Sequence, residues 1–271
     1  MPKRQSVAVF TGKMGKCAGE KTLEILNYDG VEAGALKNNI RLKKLFLGER
    51  VQMIGRQSFF CCTAMNTAGL GQVKRIGSEA FMGCSKLKQI VIPGTVKQMG
   101  TAVFKECKRM EEAVFERESE IKEIKTDTFN YCLSLKQVQL PPFLKEIHTR
   151  AFWRCKELKT VSFPRTLEII GTEAFYQNGF LKLELPCRLK IIEDSAFFKC
   201  SGLEYVQIPE SVKKIGKWVF HGCNRLKVLE IAHEPEYIGD WIINRSATIR
   251  CRKGSTVDLY CDKFGFSKEY L

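Results

Sequence analysis

Apolar side chains return along this chain on a schedule of about 23 residues. Aligned on one aliphatic position, successive units begin at Val31, Ile54, Ile76, Met99, Ile124, Ile147, Ile170, Ile192, Ile215 and Ile238, at spacings of 22 to 25. Five positions on, phenylalanine stands eight times, from Phe59 to Phe220, with Leu36 and Ile243 in the end units. A fixed period of this length is the mark of a solenoid. Each unit buries its apolar face only against its neighbours.

Two patterns alternate within a unit. In the stretch Leu87 to Pro93, apolar residues fall on alternate positions, which is strand spacing with one buried face. Proline follows at Pro93, Pro141, Pro164, Pro186 and Pro209, where a strand must stop because the ring offers no ladder donor. The other half, as in Glu79 to Cys84, sets Ala80 and Cys84 four apart with Phe81 beside them. That spacing predicts a helical turn or two with one apolar stripe facing the strands.

Strand, turn and short helix in 23 residues fall within the leucine-rich-repeat range of roughly 20–29. The predicted class is α/β: a right-handed leucine-rich-repeat solenoid, with a parallel sheet on the concave face and short helices or 3-10 turns on the convex face. Residues 1–30 read as an N-terminal cap, 31–250 as about ten units and 251–271 as a C-terminal cap, all in one continuous domain.

The consensus I-G-x-x-A-F-x-x-C-x-x-L-x-x-V-x-I-P resembles the BspA-type leucine-rich repeat, which is common in surface proteins of host-associated bacteria and parasitic protists. The resemblance covers residues 31–250. The tail IRCRKGSTVDLYCDKFGFSKEYL is similar to the closing cap of bacterial members. Membership implies adhesion or protein binding and supplies no catalytic motif to carry over.

The chain holds 12 cysteines, and seven of them stand at the ninth position of a unit: Cys62, Cys84, Cys107, Cys132, Cys155, Cys200 and Cys223. Asn39 and Asn178 take that place in two other units. The position lies on the apolar stripe, where a free thiol acts as a small apolar side chain. Disulfides between stacked units are geometrically conceivable, but seven thiols leave one unpaired. Zinc has no C-x-x-C pair to use, and His148, His221 and His233 follow no ligand spacing. Cys17, Cys61, Cys187, Cys251 and Cys261 fall off the schedule. Of these, Cys251 and Cys261 lie among Arg and Lys residues that lower a thiol pKa, so they are the candidates for reactivity.

Composition adds charge to this picture. Lys and Arg number 44 against 30 Asp and Glu, a net +14 that favours anionic partners. No run approaches the roughly 18 apolar residues that span a bilayer. The N-terminal VAVF is too short for a signal-peptide core, so the sequence as written reads as cytoplasmic, or as cell-surface or secreted if a leader has been removed. The stretch GKCAGEKT, Gly15 to Thr22, misses the phosphate-binding loop G-x-x-x-x-G-K-[ST] because Glu20 stands at its second glycine. It reads as part of the cap. With the histidines at unrelated repeat positions, no acid–base or nucleophilic constellation forms. The reading is a protein without catalytic residues, cofactor or metal.

Binding is what remains. The outward strand positions are Gln89 and Val91, Glu112 and Val114, Gln137 and Gln139, Thr160 and Ser162, Glu184, Tyr205 and Gln207, and Val228 and Glu230. They define a candidate partner-binding strip, with a protein as the expected partner of a monomer. A neighbouring column carries Lys88, Lys136, Lys159, Lys182 and Lys227, interrupted by Glu111 and Glu204. A second runs through Lys97, Lys122, Lys145, Lys190 and Lys213. These columns support an alternative, an anion-binding module for nucleic acid, acidic polymer or lipid surface. A second alternative is a structural or adhesin fragment of a surface protein.

Overall fold

Residues 8–17 and 20–271 are described by the structure, a computed structural model. The Gly15–Thr22 stretch lies partly outside them. The chain winds into a parallel-strand solenoid of about 11 turns, with two separate ladders. Long strands such as Gln89–Ile92, Glu112–Phe115 and Gln137–Gln139 pair in parallel along one side. Two-residue strands such as Glu146–Ile147, Ile169–Ile170 and Ile191–Ile192 pair along another. Register keeps equivalent residues side by side, as in Ile90 with Ala113 and Val138. Within the long strands alternate residues are buried, so the apolar half of each strand faces a core shared by all units.

That core is organised by the scheduled phenylalanines. Phe59, Phe81, Phe104, Phe129, Phe152, Phe175, Phe197 and Phe220 stack in sequence, with ring centroids 5.1 to 5.6 Å apart. All eight are fully buried. Each such pair adds about 0.5–1.5 kcal/mol beyond its burial.

The half-unit around each phenylalanine is a run of turns, where the spacing predicted a short helix. Gly55 accepts from the N–H of Ser58 and Phe59 from that of Cys62, while Gln57 and Cys61 hold φ of 54° and 55°. Positive φ at the third residue makes these type II turns. The reason lies in the next unit. The N–H groups of Gln57, Phe59 and Cys61 donate to the carbonyls of Ser78, Ala80 and Met82 at 2.7 to 3.0 Å. A helix consumes its N–H groups internally and leaves none for stacking. The left-handed residues cost about 1 kcal/mol or more each, and the bonds between units offset that strain. Glycine at the equivalent Gly83 and Gly222, with φ of 75° and 80°, is the sequence signal for this conformation.

Helices in the described residues are confined to the ends, at Gly12–Cys17 and Thr256–Phe264. The second is capped by Ser255, whose side chain accepts from the Asp258 N–H, and closes on Gly265 in the left-handed conformation. At the chain start Val9–Phe10 and Thr22–Ile25 pair with the first repeat strands, and at its end Ser267–Tyr270 pairs with Thr248–Cys251.

The ladders break where the period does. The unit from Met99 to Ile124 is 25 residues long. There the short-strand ladder stops after Gln98–Met99 and resumes at Glu123–Ile124, while the phenylalanine stack continues unbroken. The long-strand ladder breaks between Thr67–Gly69 and Gln89–Ile92, and again at Thr160–Phe163 and Lys182–Leu185, which make no ladder pairs.

Candidate binding surface

The ninth-position cysteines are fully placed by this architecture. All seven are buried and free. Each thiol donates to the backbone carbonyl of the preceding unit's core residue: Cys84 to Phe59, Cys107 to Phe81, Cys132 to Phe104, and so on, at 3.2 to 3.3 Å. Asn178 fills the same role through Nδ2, 2.8 Å from the Phe152 carbonyl, but its Oδ1 is buried without a partner. Burial raises the thiols of Cys84, Cys107, Cys132, Cys155 and Cys200 far above the ordinary range and Cys223 to about 12. The scheduled thiol is packing plus a hydrogen bond.

Cys251 and Cys261 correct the expectation of reactivity. Both are buried, and burial raises their pKa, Cys261 to about 12, against the smaller lowering by Lys268. Cys61 is half-buried and also raised, with burial the larger cause and Glu106 the next. Only Cys187 among the described thiols is exposed.

The histidines stay apart. His148 lies 3.2 Å from Glu123 and 3.6 Å from Glu146 on the short-strand side. His221 ends a surface stack running through Trp153, Tyr176 and Phe198, and His233 bonds the Val212 carbonyl. No group of three or more His, Cys, Asp or Glu side chains that could hold a metal occurs among the described residues.

The strip of outward strand residues is assembled in two blocks. Gln89, Glu112 and Gln137 are register partners, as are Val91, Val114 and Gln139. Tyr205 pairs with Val228 and Gln207 with Glu230. Between the blocks stand Thr160, Ser162 and Glu184, exposed but outside the ladder. The first block is apolar along one row. Val91 is 46% exposed with Val114 half-buried beside it, and Phe46, 39% exposed, lies two strands away across Gly69. The second is a polar network: the Tyr205 hydroxyl and Gln207 Nε2 both donate to Glu230 at 3.0 Å, and Arg250 bridges Glu230 and Glu269 at 3.3 and 3.1 Å. A groove of about 700 Å³ lies where this block meets Lys182 to Leu185. Arg250 and Phe46 were missed by the sequence reading; Arg250 is the register partner of Glu230 one strand beyond the strip, and Phe46 lies two strands before it, paired with Gly69.

The lysine columns look different once paired. Lys136 bonds Glu111, Lys159 lies 3.8 Å from Glu157, Lys182 bonds Glu184 and Lys227 bonds Glu204. Only Lys88 of the first five is in no ion pair among the described residues. In the second column Lys97 pairs with Glu120, Lys145 and Lys190 share Glu168, and Lys213 pairs with Glu236. Lys182 also shifts register. The Leu181 N–H donates to the Lys159 carbonyl, as Glu111 does to Lys88, so Leu181 occupies the column and Lys182 falls on the strip beside Gln89's row. The 22-residue unit from Ile170 to Ile192 lacks one residue before Phe180, which takes the buried place of Leu87.

Taken together, two parallel ladders, stacked turns and a rigid polar-and-apolar outer sheet define a leucine-rich-repeat scaffold of the binding type. The model for the BspA-type leucine-rich repeat region matches residues 21–135 and 122–250 in six copies, and the chain belongs to that family. Its fold is similar to that of a leucine-rich repeat protein from Bacteroides ovatus, at 21% identity over 96% of this chain and 86% of that one, with a TM-score of 0.63. A leucine-rich cell surface protein from Faecalibacterium prausnitzii is similar at 21% identity, over 93% and 88% of the two chains, with a TM-score of 0.58. The pneumococcal vaccine antigen PcpA follows at 17% identity, 90% and 71% coverage and a TM-score of 0.53. No curated protein matches the sequence. No helix among the described residues is long and apolar enough to cross a membrane.

Proposed function

We propose that this protein is a non-catalytic binding protein that recognises a protein partner through the outward face of its long-strand sheet. The observation that carries the reading is the register of that face. Gln89, Glu112 and Gln137, with Val91, Val114 and Gln139 beside them, form one preformed surface held by backbone pairing. A surface ordered before binding loses little conformational entropy on contact. Its apolar row beside polar neighbours has the composition of an interface centre and rim.

The test is capture from a lysate of the source organism at low and at moderately high salt, followed by substitution. A protein retained at both strengths, and lost by more than tenfold with the pair Val91→Asp and Val114→Asp but not with Lys74→Glu elsewhere, supports the reading. Undiminished binding by the double variant sinks it.

A further inference from the structure

The net charge of this solenoid is concentrated on one edge. The nine loops that lead from each ninth position into a long strand, from residues 40–44 to 224–228, carry 13 Lys or Arg and 4 Asp or Glu. The nine loops leaving the long strands, from 48–54 to 232–238, carry 12 and 10. Stacking converts this difference into two edges running along the molecule, one strongly basic and one nearly balanced. On the balanced edge Lys97, Lys145, Lys190 and Lys213 are paired with acids of the same edge.

The basic edge is most open in its N-terminal half. Arg41 and Lys43 in one loop with Lys44 opening the strand after it, Lys86 and Lys88 two units on, and Lys108 and Arg109 in the next are exposed, and none is in an ion pair among the described residues. The acids nearest in sequence are Glu106, half-buried in the preceding turn, Glu111, which is bonded to Lys136, and Glu112, half-buried on the strand. At about 4.8 Å per turn these seven cations span about 15 Å. Farther along, Lys156, Lys159, Lys199 and Arg225 rim a groove of about 390 Å³ beside Gly179 and Gly202.

We propose that this edge is a second binding surface, independent of the sheet face, and that it takes a linear sulfated polysaccharide. Three features select that class among polyanions. The track is continuous along the stacked units, with cations in seven of its nine loops, which suits a linear chain. Lysines outnumber arginines on it, so it presents point charges more than the planar forks that grip phosphate in two places. Aromatic faces near it are isolated rather than serial: Phe46, two residues after Lys44, and Tyr205 are exposed singly on the sheet, while the core rings stack on one another and Trp153, Tyr176 and Phe198 cover each other's faces. A single-stranded nucleic acid gains much of its affinity from stacking successive bases on a series of such faces. What the edge offers is dense fixed cation, and densely sulfated sugar chains supply the matching permanent anion. Neutralising them releases counterions, so affinity falls steeply with salt.

The experiment uses the full chain and four probes of matched charge: heparin, a single-stranded oligonucleotide, a duplex oligonucleotide and polyglutamate, each titrated at about 0.05 to 0.3 M salt, a range over which the screening length shortens roughly from 14 to 6 Å. Heparin is expected to bind most tightly and to survive the highest salt. The variant Lys43→Glu, Lys86→Glu, Lys88→Glu, Lys108→Glu is expected to weaken heparin at least tenfold. A charge-matched control on the other edge, Lys74→Glu, Arg117→Glu, Arg165→Glu, Arg188→Glu, is expected to weaken it less than threefold. Unchanged thermal unfolding shows that each variant is folded. The proposal is overturned if the two variants lose heparin equally, if either oligonucleotide or polyglutamate outlasts heparin in salt, or if heparin does not bind near physiological salt.

Discussion

The thiol of Cys84 donates to the backbone carbonyl of Phe59, 25 residues earlier, at 3.2 Å. The same carbonyl accepts the N–H of Cys62 from its own unit, so one oxygen ties two adjacent turns together. Repeated through the stack, this bond is a seam between units, and it lies beside the phenylalanine ladder. Truncating it removes a weak hydrogen bond and a small buried volume. Cys132→Ala is expected to lower stability by about 1–2 kcal/mol in urea unfolding. Cys132→Leu, which inserts volume into a full site, is expected to cost about 1–3 kcal/mol. A neutral outcome for both would show that the slot is loosely packed.

Asn178 is the exception that tests the seam from the other side. Its Nδ2 replaces the thiol donor, yet its Oδ1 is left buried and unpartnered. An unsatisfied buried carbonyl costs about 1–3 kcal/mol. Asn178→Cys restores the repeat's own solution and is expected to raise stability by about 1 kcal/mol, read as a higher urea midpoint with an unchanged slope.

Phe152 sits mid-stack, with Phe129 at 5.2 Å on one side and Phe175 at 5.1 Å on the other. Phe152→Ala opens a cavity at the joint between units and is expected to cost about 3–5 kcal/mol. Because a solenoid is a chain of neighbour contacts, unfolding is expected to split into two transitions, visible as probe-dependent denaturation curves.

The buried thiols make stability depend on pH in the alkaline range. Their folded pKa values are raised by burial, Cys223 to about 12, while an unfolded thiol titrates near 8.5. The folded state therefore holds its thiol protons where the unfolded state has lost them. The stabilisation from protonated thiols is full below about pH 8.5 and declines as pH rises toward 12. A urea midpoint at pH 10 is expected below that at pH 7. Equal midpoints in a variant with Cys132, Cys155 and Cys200 replaced by Ala would assign the dependence to those three.

Thiol accessibility gives a separate check. Native protein treated with iodoacetamide at pH 8 is expected to be alkylated at exposed Cys187, while the seven ladder thiols with Cys251 and Cys261 react only after denaturation. Peptide mapping reads the outcome directly. Rapid native labelling of Cys251 or Cys261 would contradict the closed C-terminal cap.

The sequence by itself determined the repeat, the parallel strands, their prolines and the buried role of the scheduled phenylalanines and cysteines. These follow from periodicity, because the places of Phe81 and Cys84 recur in the same way from unit to unit. It also located most of the outward strip, since alternation within Gln89–Ile92 is local. The tertiary structure alone decided the rest. The half-unit around Phe59 is a pair of turns because its N–H groups bond carbonyls of the next unit, partners that no local spacing reveals. Cys251 and Cys261 are unreactive because the cap encloses them, whatever basic residues flank them in sequence. Lys182 moved from column to strip because a one-residue deletion was absorbed at Gly179–Phe180, where the buried ring fixed the register. Most lysines of both columns became ion pairs, largely with acids about one repeat away, a distance set by stacking, while Lys88 and its basic neighbours toward the chain start stayed open.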